Sequence, residues 1–287
     1  MRKLLHSIFI VLALGWGMSF APAAQAAVTL PWSTTYNCPD WTQSDGLYPP
    51  AINCDGLTGF GDWTCDNGDG TVREEQITAA ANFASGAGGR GQRQWVGDGA
   101  NNNSGGLRVP LSRQEPELWI RWYMRYQQGF SWEFLNNDKI LYINPGSPHC
   151  VIPEWYGFDY ANVATCRSPN NHLSAPGHGW NGIMGSNAAD GQWHMYEVHL
   201  KMDTNGSDGI AEMWIDGVQR LSHSNVDFAT QAGWDNIGLG NNQRNPLNGR
   251  CMAVDFDDFA VRTTGPIGPV GPADTLAPAA PSNLTVQ

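Results

Sequence analysis

The sequence predicts an all-β sandwich of two antiparallel sheets, and three observations carry that expectation. Residues 117–126 alternate with period two: Leu118, Ile120, Trp122, Met124 and Tyr126 fall on one face, Trp119, Arg121, Tyr123 and Arg125 on the other. Further short runs of the same kind recur between turns rich in glycine, 34 of which occur in the 287 residues. Helical signals are scarce, and only residues 74–84 have a composition that could coil.

Taken in order, the expected strands are 106–111, 118–127, 139–144, 193–203, 209–216, 236–240 and 252–262. A turn at Thr204-Asn205-Gly206-Ser207-Asp208 joins the fourth to the fifth, and Asp216-Gly217 is a tight hairpin turn. In the last strand Val254 and Phe256 share one parity whereas Phe259 and Val261 share the other, which predicts a bulge at Asp257-Asp258. Residues 150–185 read as a long loop rich in aromatic and histidine side chains, among them His172, His178 and Trp180; a loop of that length is expected to be a functional lid.

The two ends are different material. Arg2 and Lys3, an apolar run over 4–14 and Ala24-Gln25-Ala26 have the layout of an export signal, so residues 1–26 are expected to be removed. No cysteine follows that would take a lipid, and no later apolar run reaches the length of a membrane span. The sandwich is expected over 27–263 and a Pro/Gly linker over 264–277, which contains Gly-Pro-Ile-Gly-Pro-Val-Gly-Pro. Residues 278–287 resemble the opening strand of a fibronectin type III domain, although a disordered tail would read the same. The expected product is an exported protein, monomeric or one module of a larger secreted chain.

Composition narrows the partners. Net charge is −11, and loss of Arg2 and Lys3 with the leader takes it to about −13, which disfavours nucleic acid and anionic membranes. Six cysteines in an exported chain predict disulfides. Fifteen pairings are possible; Cys38–Cys54, Cys150–Cys166 and Cys65–Cys251 form one workable set.

The polar row of residues 117–126 is the strongest functional signal. Aromatic rings flanked by guanidinium groups suit a sugar ring that carries a carboxylate or sulfate. The acidity of the whole chain points the other way, toward repulsion of a polyanion unless positive charge is concentrated locally. In the 193–203 strand Glu197, His199 and Lys201 share one face. If both rows lie on one sheet, His199 could take a proton, Tyr123 donate one, and Lys201, Arg121 or Arg125 neutralise a carboxylate, the requirements of β-elimination at a uronic acid. Alternating polar residues are also what any half-exposed strand shows.

Three stretches carry a family resemblance: Gly191-Gln192-Trp193-His194-Met195-Tyr196-Glu197-Val198-His199-Leu200-Lys201, Gly209 through Gly217 with its Trp214-Ile215-Asp216-Gly217, and Asp255-Phe256-Asp257-Asp258-Phe259. Over about residues 85–262 the chain resembles the concanavalin A-like jelly rolls, and is most similar to polysaccharide lyases of the heparin-lyase and alginate-lyase type. That resemblance implies a polysaccharide bound in a concave groove, and the strand rows and the long loop make Trp119, Arg121, Arg125, Glu197, His178 and Trp180 the residues expected to contact it. It also implies a structural Ca²⁺ held by Asp255 or Asp257. The lyases' Gln-x-His strand is not found: Gln94 stands in Arg93-Gln94-Trp95 with no histidine at that spacing. A non-catalytic carbohydrate-binding or adhesion module is therefore the alternative to a lyase.

Overall fold

The computed structural model describes residues 27–42, 54–61, 64–66, 72–96, 105–130, 137–144, 150–151, 154–156, 160–164, 172–174, 190–228, 230–240 and 251–271. The expected leader, the 278–287 end, His178 and Trp180 lie outside them.

Among the described residues, twenty strands follow in chain order. The first seven are β1 (Trp32–Thr34), β2 (Trp41–Thr42), β3 (Thr58–Gly61), β4 (Thr64–Asp66), β5 (Val72–Glu74), β6 (Gln76–Thr78) and β7 (Gly91–Val96). Next come β8 (Gly105–Glu115), β9 (Glu117–Tyr126), β10 (Asn137–Lys139), β11 (Leu141–Asn144), β12 (Cys150–Val151), β13 (Glu154–Tyr156), β14 (Tyr160–Ala164) and β15 (His172–Ser174). The last are β16 (His194–Lys201), β17 (Gly209–Ile215), β18 (Val218–Val226), β19 (Trp234–Gly240) and β20 (Met252–Arg262). A large sheet runs β18-β17-β16-β9-β20-β7-β6-β2, with β1 added on β20, and a smaller one runs β12-β11-β19-β8-β3. The strand pairs are antiparallel, so the chain is the all-β two-sheet sandwich that its sequence predicts.

Residues 74–84 do not coil. β5, β6 and a single 3₁₀ turn at Ala79–Ala81 occupy them, because Ile77 is needed in the core and Thr78 caps the turn through the amide of Ala80. Within 150–185, read as loop, the chain also forms short strands, and β10-β13-β14-β15 make a separate small sheet.

Leu118, Ile120, Trp122, Met124 and Tyr126 of β9 are all buried between the sheets with Tyr196, Val198 and Leu200 of β16. Trp122 stacks on Tyr196 with ring centroids 5.3 Å apart. Leu107, Val109, Leu141, Ile143, Ile237 and Leu239 close the same core from the β12-β11-β19-β8-β3 sheet. Asp216 (φ 52°) and Gly217 (φ 76°) form the hairpin turn, both in the left-handed region that such a turn requires.

The bulge in β20 is present: Asp257 pairs with Tyr123 but Ala260, not Phe259, pairs with Arg121, and Asp258 takes φ 48°. This extra residue lets Val254 and Phe256, then Phe259 and Val261, all face the core. Two of the disulfides named above form, Cys38–Cys54 and Cys65–Cys251. Cys166 lies outside the described residues.

One polar chain is buried in this core. Tyr36 donates its hydroxyl to Gln92 Oε1 (3.2 Å), and Gln92 Nε2 donates to Glu75 Oε1 (2.5 Å). Burial pushes the Glu75 carboxyl well above the usual range, and the Gln92 bond offsets only part of that. Stability from the protonated group is complete below the ordinary glutamate value, about 4.3, and is lost as pH rises through the higher folded value. Glu75→Gln is expected to flatten this decline, read as melting temperature against pH in wild type and variant.

Candidate functional site

Antiparallel register brings the two polar rows together. Glu197 pairs with Arg121, His199 with Trp119 and Lys201 with Glu117, while Asp255 and Asp257 of β20 pair with Arg125 and Tyr123 from the other side. All of these side chains therefore stand on the outer face of the large sheet, as expected of rows on a shared sheet.

The row is not displayed as the sequence implies: most of it is covered. Arg121 is 2% exposed, Tyr123 7% and His199 6%. Phe83 stacks on Tyr123 at 4.1 Å. Residues 264–271, the described part of the expected linker, run against this face. Glu197 Oε1 accepts the amides of Ile267 and Gly268, Arg121 Nη1 donates to Gly268 O (3.3 Å), and the Tyr123 hydroxyl accepts the amide of Val270 (3.1 Å). Arg121 Nη2 also donates to Asp258 O (3.1 Å).

His199 is enclosed in another way. Its Nδ1 lies 2.8 Å from Glu212 and its Nε2 2.9 Å from Glu117, and its ring stacks on Trp119 at 4.0 Å. Both ring nitrogens are engaged, so neither is presented to a substrate proton. Trp119 in turn stacks on Trp214 of β17, with centroids 5.6 Å apart. Lys201 alone of the expected catalytic set is exposed, at the edge of this cluster opposite Glu117.

The face opens at its other end. A cleft of about 470 Å³ lies beside Arg125, lined by Arg93, Trp95, Gln127, Gln128 and Asp255 among others. Asp255 forms its floor. Arg93 Nε donates to Oδ1 (2.7 Å) and Arg93 Nη2 to Oδ2 (2.9 Å), while Arg125 Nε (3.1 Å) and Nη2 (2.5 Å) both donate to Oδ2. Both Nη2 groups also reach Ala80 O at 3.2 Å, which leaves Nη1 of each arginine outside these contacts. Arg125 lies over Trp193 at 4.8 Å, and Arg73 and Arg93 lie over Trp95 at 5.5 and 5.7 Å. The cleft lining thus holds two guanidinium groups, Arg93 and Arg125, and two carboxylates, Asp255 between them and Asp190 across the opening from the 190–192 turn.

Sequence reasoning missed Arg93, Trp95 and Trp193. The signal was available: in Gly91–Val96 the same period-two rule sends Gln92 and Gln94 to the core and Arg93 and Trp95 to the outer face.

The residues named for Ca²⁺ do not fit it. Both oxygens of Asp255 are held by guanidinium groups. Asp257 Oδ1 accepts the amide of Asp258 and Oδ2 that of Phe83, each at 2.7 Å, and burial pushes its pKa up to about 8. Among the described residues no three His, Cys, Asp or Glu side chains gather as a metal site. No helix of the described residues is long and apolar enough to cross a membrane.

No protein-family model and no curated protein matches the chain. Solved structures do. An endo-β-1,4-glucuronan lyase from the fungus Trichoderma reesei is 16% identical over 71% of this chain and 91% of its own, with a TM-score of 0.47. Alginate lyase Aly36B is 15% identical over 82% and 98%, at 0.49. The cellulose-induced protein Cip1 is 14% identical over 82% and 99%, at 0.47.

Proposed function

We propose that this chain is an extracellular carbohydrate-binding protein that holds an acidic polysaccharide at the Arg93–Arg125 cleft. The cleft carries the reading: two guanidinium groups, each with Nη1 outside the floor contacts, stand beside Trp95 and Trp193 and the amides of Gln127 and Gln128. A uronate carboxylate can accept from the guanidinium edges while an indole face packs against the pyranose ring. Binding is favoured over elimination because His199 has both nitrogens occupied and Tyr123 is covered.

Calorimetric titration with soluble alginate, glucuronan and pectate tests the reading. Arg125→Ala is expected to weaken binding about tenfold or more, the loss of one charge-assisted contact. Added salt should weaken it further, since the cleft is open to solvent. Binding that is unaffected by Arg93→Ala and Arg125→Ala, with the fold intact, would falsify the assignment.

A further inference from the structure

The segment on the outer face is held in an unusual way. Between Pro266 and Val270 the main chain has amide hydrogens only at Ile267, Gly268 and Val270, because Pro269 has none. All three donate to side chains of the sheet, two to Glu197 and one to Tyr123. Arg121 donates to the Gly268 carbonyl. Every one of these contacts reads main chain rather than side chain. The pattern that remains specified is Gly-Pro-x: proline where no donor is needed, and glycine at position 268, where φ is +74° and a side chain would be strained. Arg121 and Glu197 are themselves buried charged groups, 2% and 5% exposed, on strands fixed by the core.

We propose that the β9–β16 face is a binding site for a single Gly-Pro-x peptide, filled in cis by residues 265–271. The acceptors Glu197 and Tyr123 take the amides, the donor Arg121 takes the carbonyl, and a second chain of the same repeat satisfies the same groups. Cis occupancy gives the resident segment a high effective concentration, so a free peptide competes poorly until that segment is weakened. This site is separate from the carbohydrate cleft, and neither assignment depends on the other.

The test uses the full chain with Ile267→Pro and Val270→Pro, which delete two of the three amide donors from the resident segment and leave Gly268 in place. Fluorescence anisotropy follows labelled Gly-Pro-Ile-Gly-Pro-Val-Gly-Pro and a control in which both x residues are proline. The variant is expected to bind the first peptide at least about tenfold more tightly than wild type does, and to discriminate against the control by a similar factor. Adding Glu197→Gln should remove most of that gain. Equal binding of both peptides, or no binding by a variant with an unchanged circular dichroism spectrum, overturns the proposal. Should the variant not fold, hydrogen exchange on wild type decides. Excess peptide is expected to speed exchange at the Gly268 and Val270 amides, and unchanged rates at saturating peptide overturn the site.

Discussion

Replacing Cys65 and Cys251 with serine is expected to lower the free energy of unfolding by about 5 kcal/mol. The bridge spans 186 residues, so its loss releases most of the chain in the unfolded state, whereas Cys38–Cys54 spans 16 and is expected to contribute about 3 kcal/mol. Structurally, Cys65–Cys251 ties the β4-β5 ribbon to the start of β20, the strand that carries Asp255 and Asp257. Cys65 is fully buried, while Cys38 is only partly so. Denaturant midpoints of the two serine pairs check the ranking. Graded reduction should open Cys38–Cys54 first. A Cys65/Cys251 variant no less stable than the Cys38/Cys54 variant would contradict the loop-length argument.

The second large effect is expected at Asp203, which lies beyond the end of β16. Its Oδ1 accepts the amides of Phe228 (2.7 Å) and Thr230 (3.1 Å), and its Oδ2 accepts the amide of Gly206 (2.7 Å) and the Thr230 hydroxyl (2.5 Å). One buried carboxylate thus closes the 203–208 turn and holds the chain leaving β18, where Phe228 packs edge-on against Trp234 at 5.3 Å. Asp203→Ala leaves four donors without their acceptor, at a cost of about 3–5 kcal/mol. Burial pushes the Asp203 carboxyl up, but the bonds from Thr230, Gly206 and Phe228 together hold it below the usual carboxylate range. Its contribution is therefore present above the unfolded value, about 3.9, and is lost as pH falls through the lower folded one. Chemical denaturation at neutral and acid pH checks both points: the wild-type advantage over Asp203→Ala should shrink in acid. A constant difference would mean that packing rather than the charge is responsible. This slope is opposite in sign to that of Glu75, whose buried carboxyl favours low pH.

Much of the fold was legible because strand alternation is a local property. The inward row of β9, the hairpin turn at Asp216-Gly217 and the bulge at Asp257-Asp258 each follow from a few neighbouring residues. The site was legible only in part. Period two put Trp119, Arg121, Tyr123 and Arg125 on one face, and the register added Glu197 and His199. Neither could show what lies above them. A polar row facing solvent and a polar row facing a returning segment have the same periodicity.

The sequence by itself determined the two-sheet sandwich, the face on which each side chain of β9 and β16 stands, and the parity switch in β20, since these depend on chain geometry alone. Only the tertiary structure decided which part of that face is open. Residues 264–271 return across Arg121, Tyr123 and Glu197, while Arg93, Trp95 and Trp193 converge on Arg125 from strands and turns far apart in the chain. Coverage arises from contacts between distant segments, and no spacing within one segment encodes it.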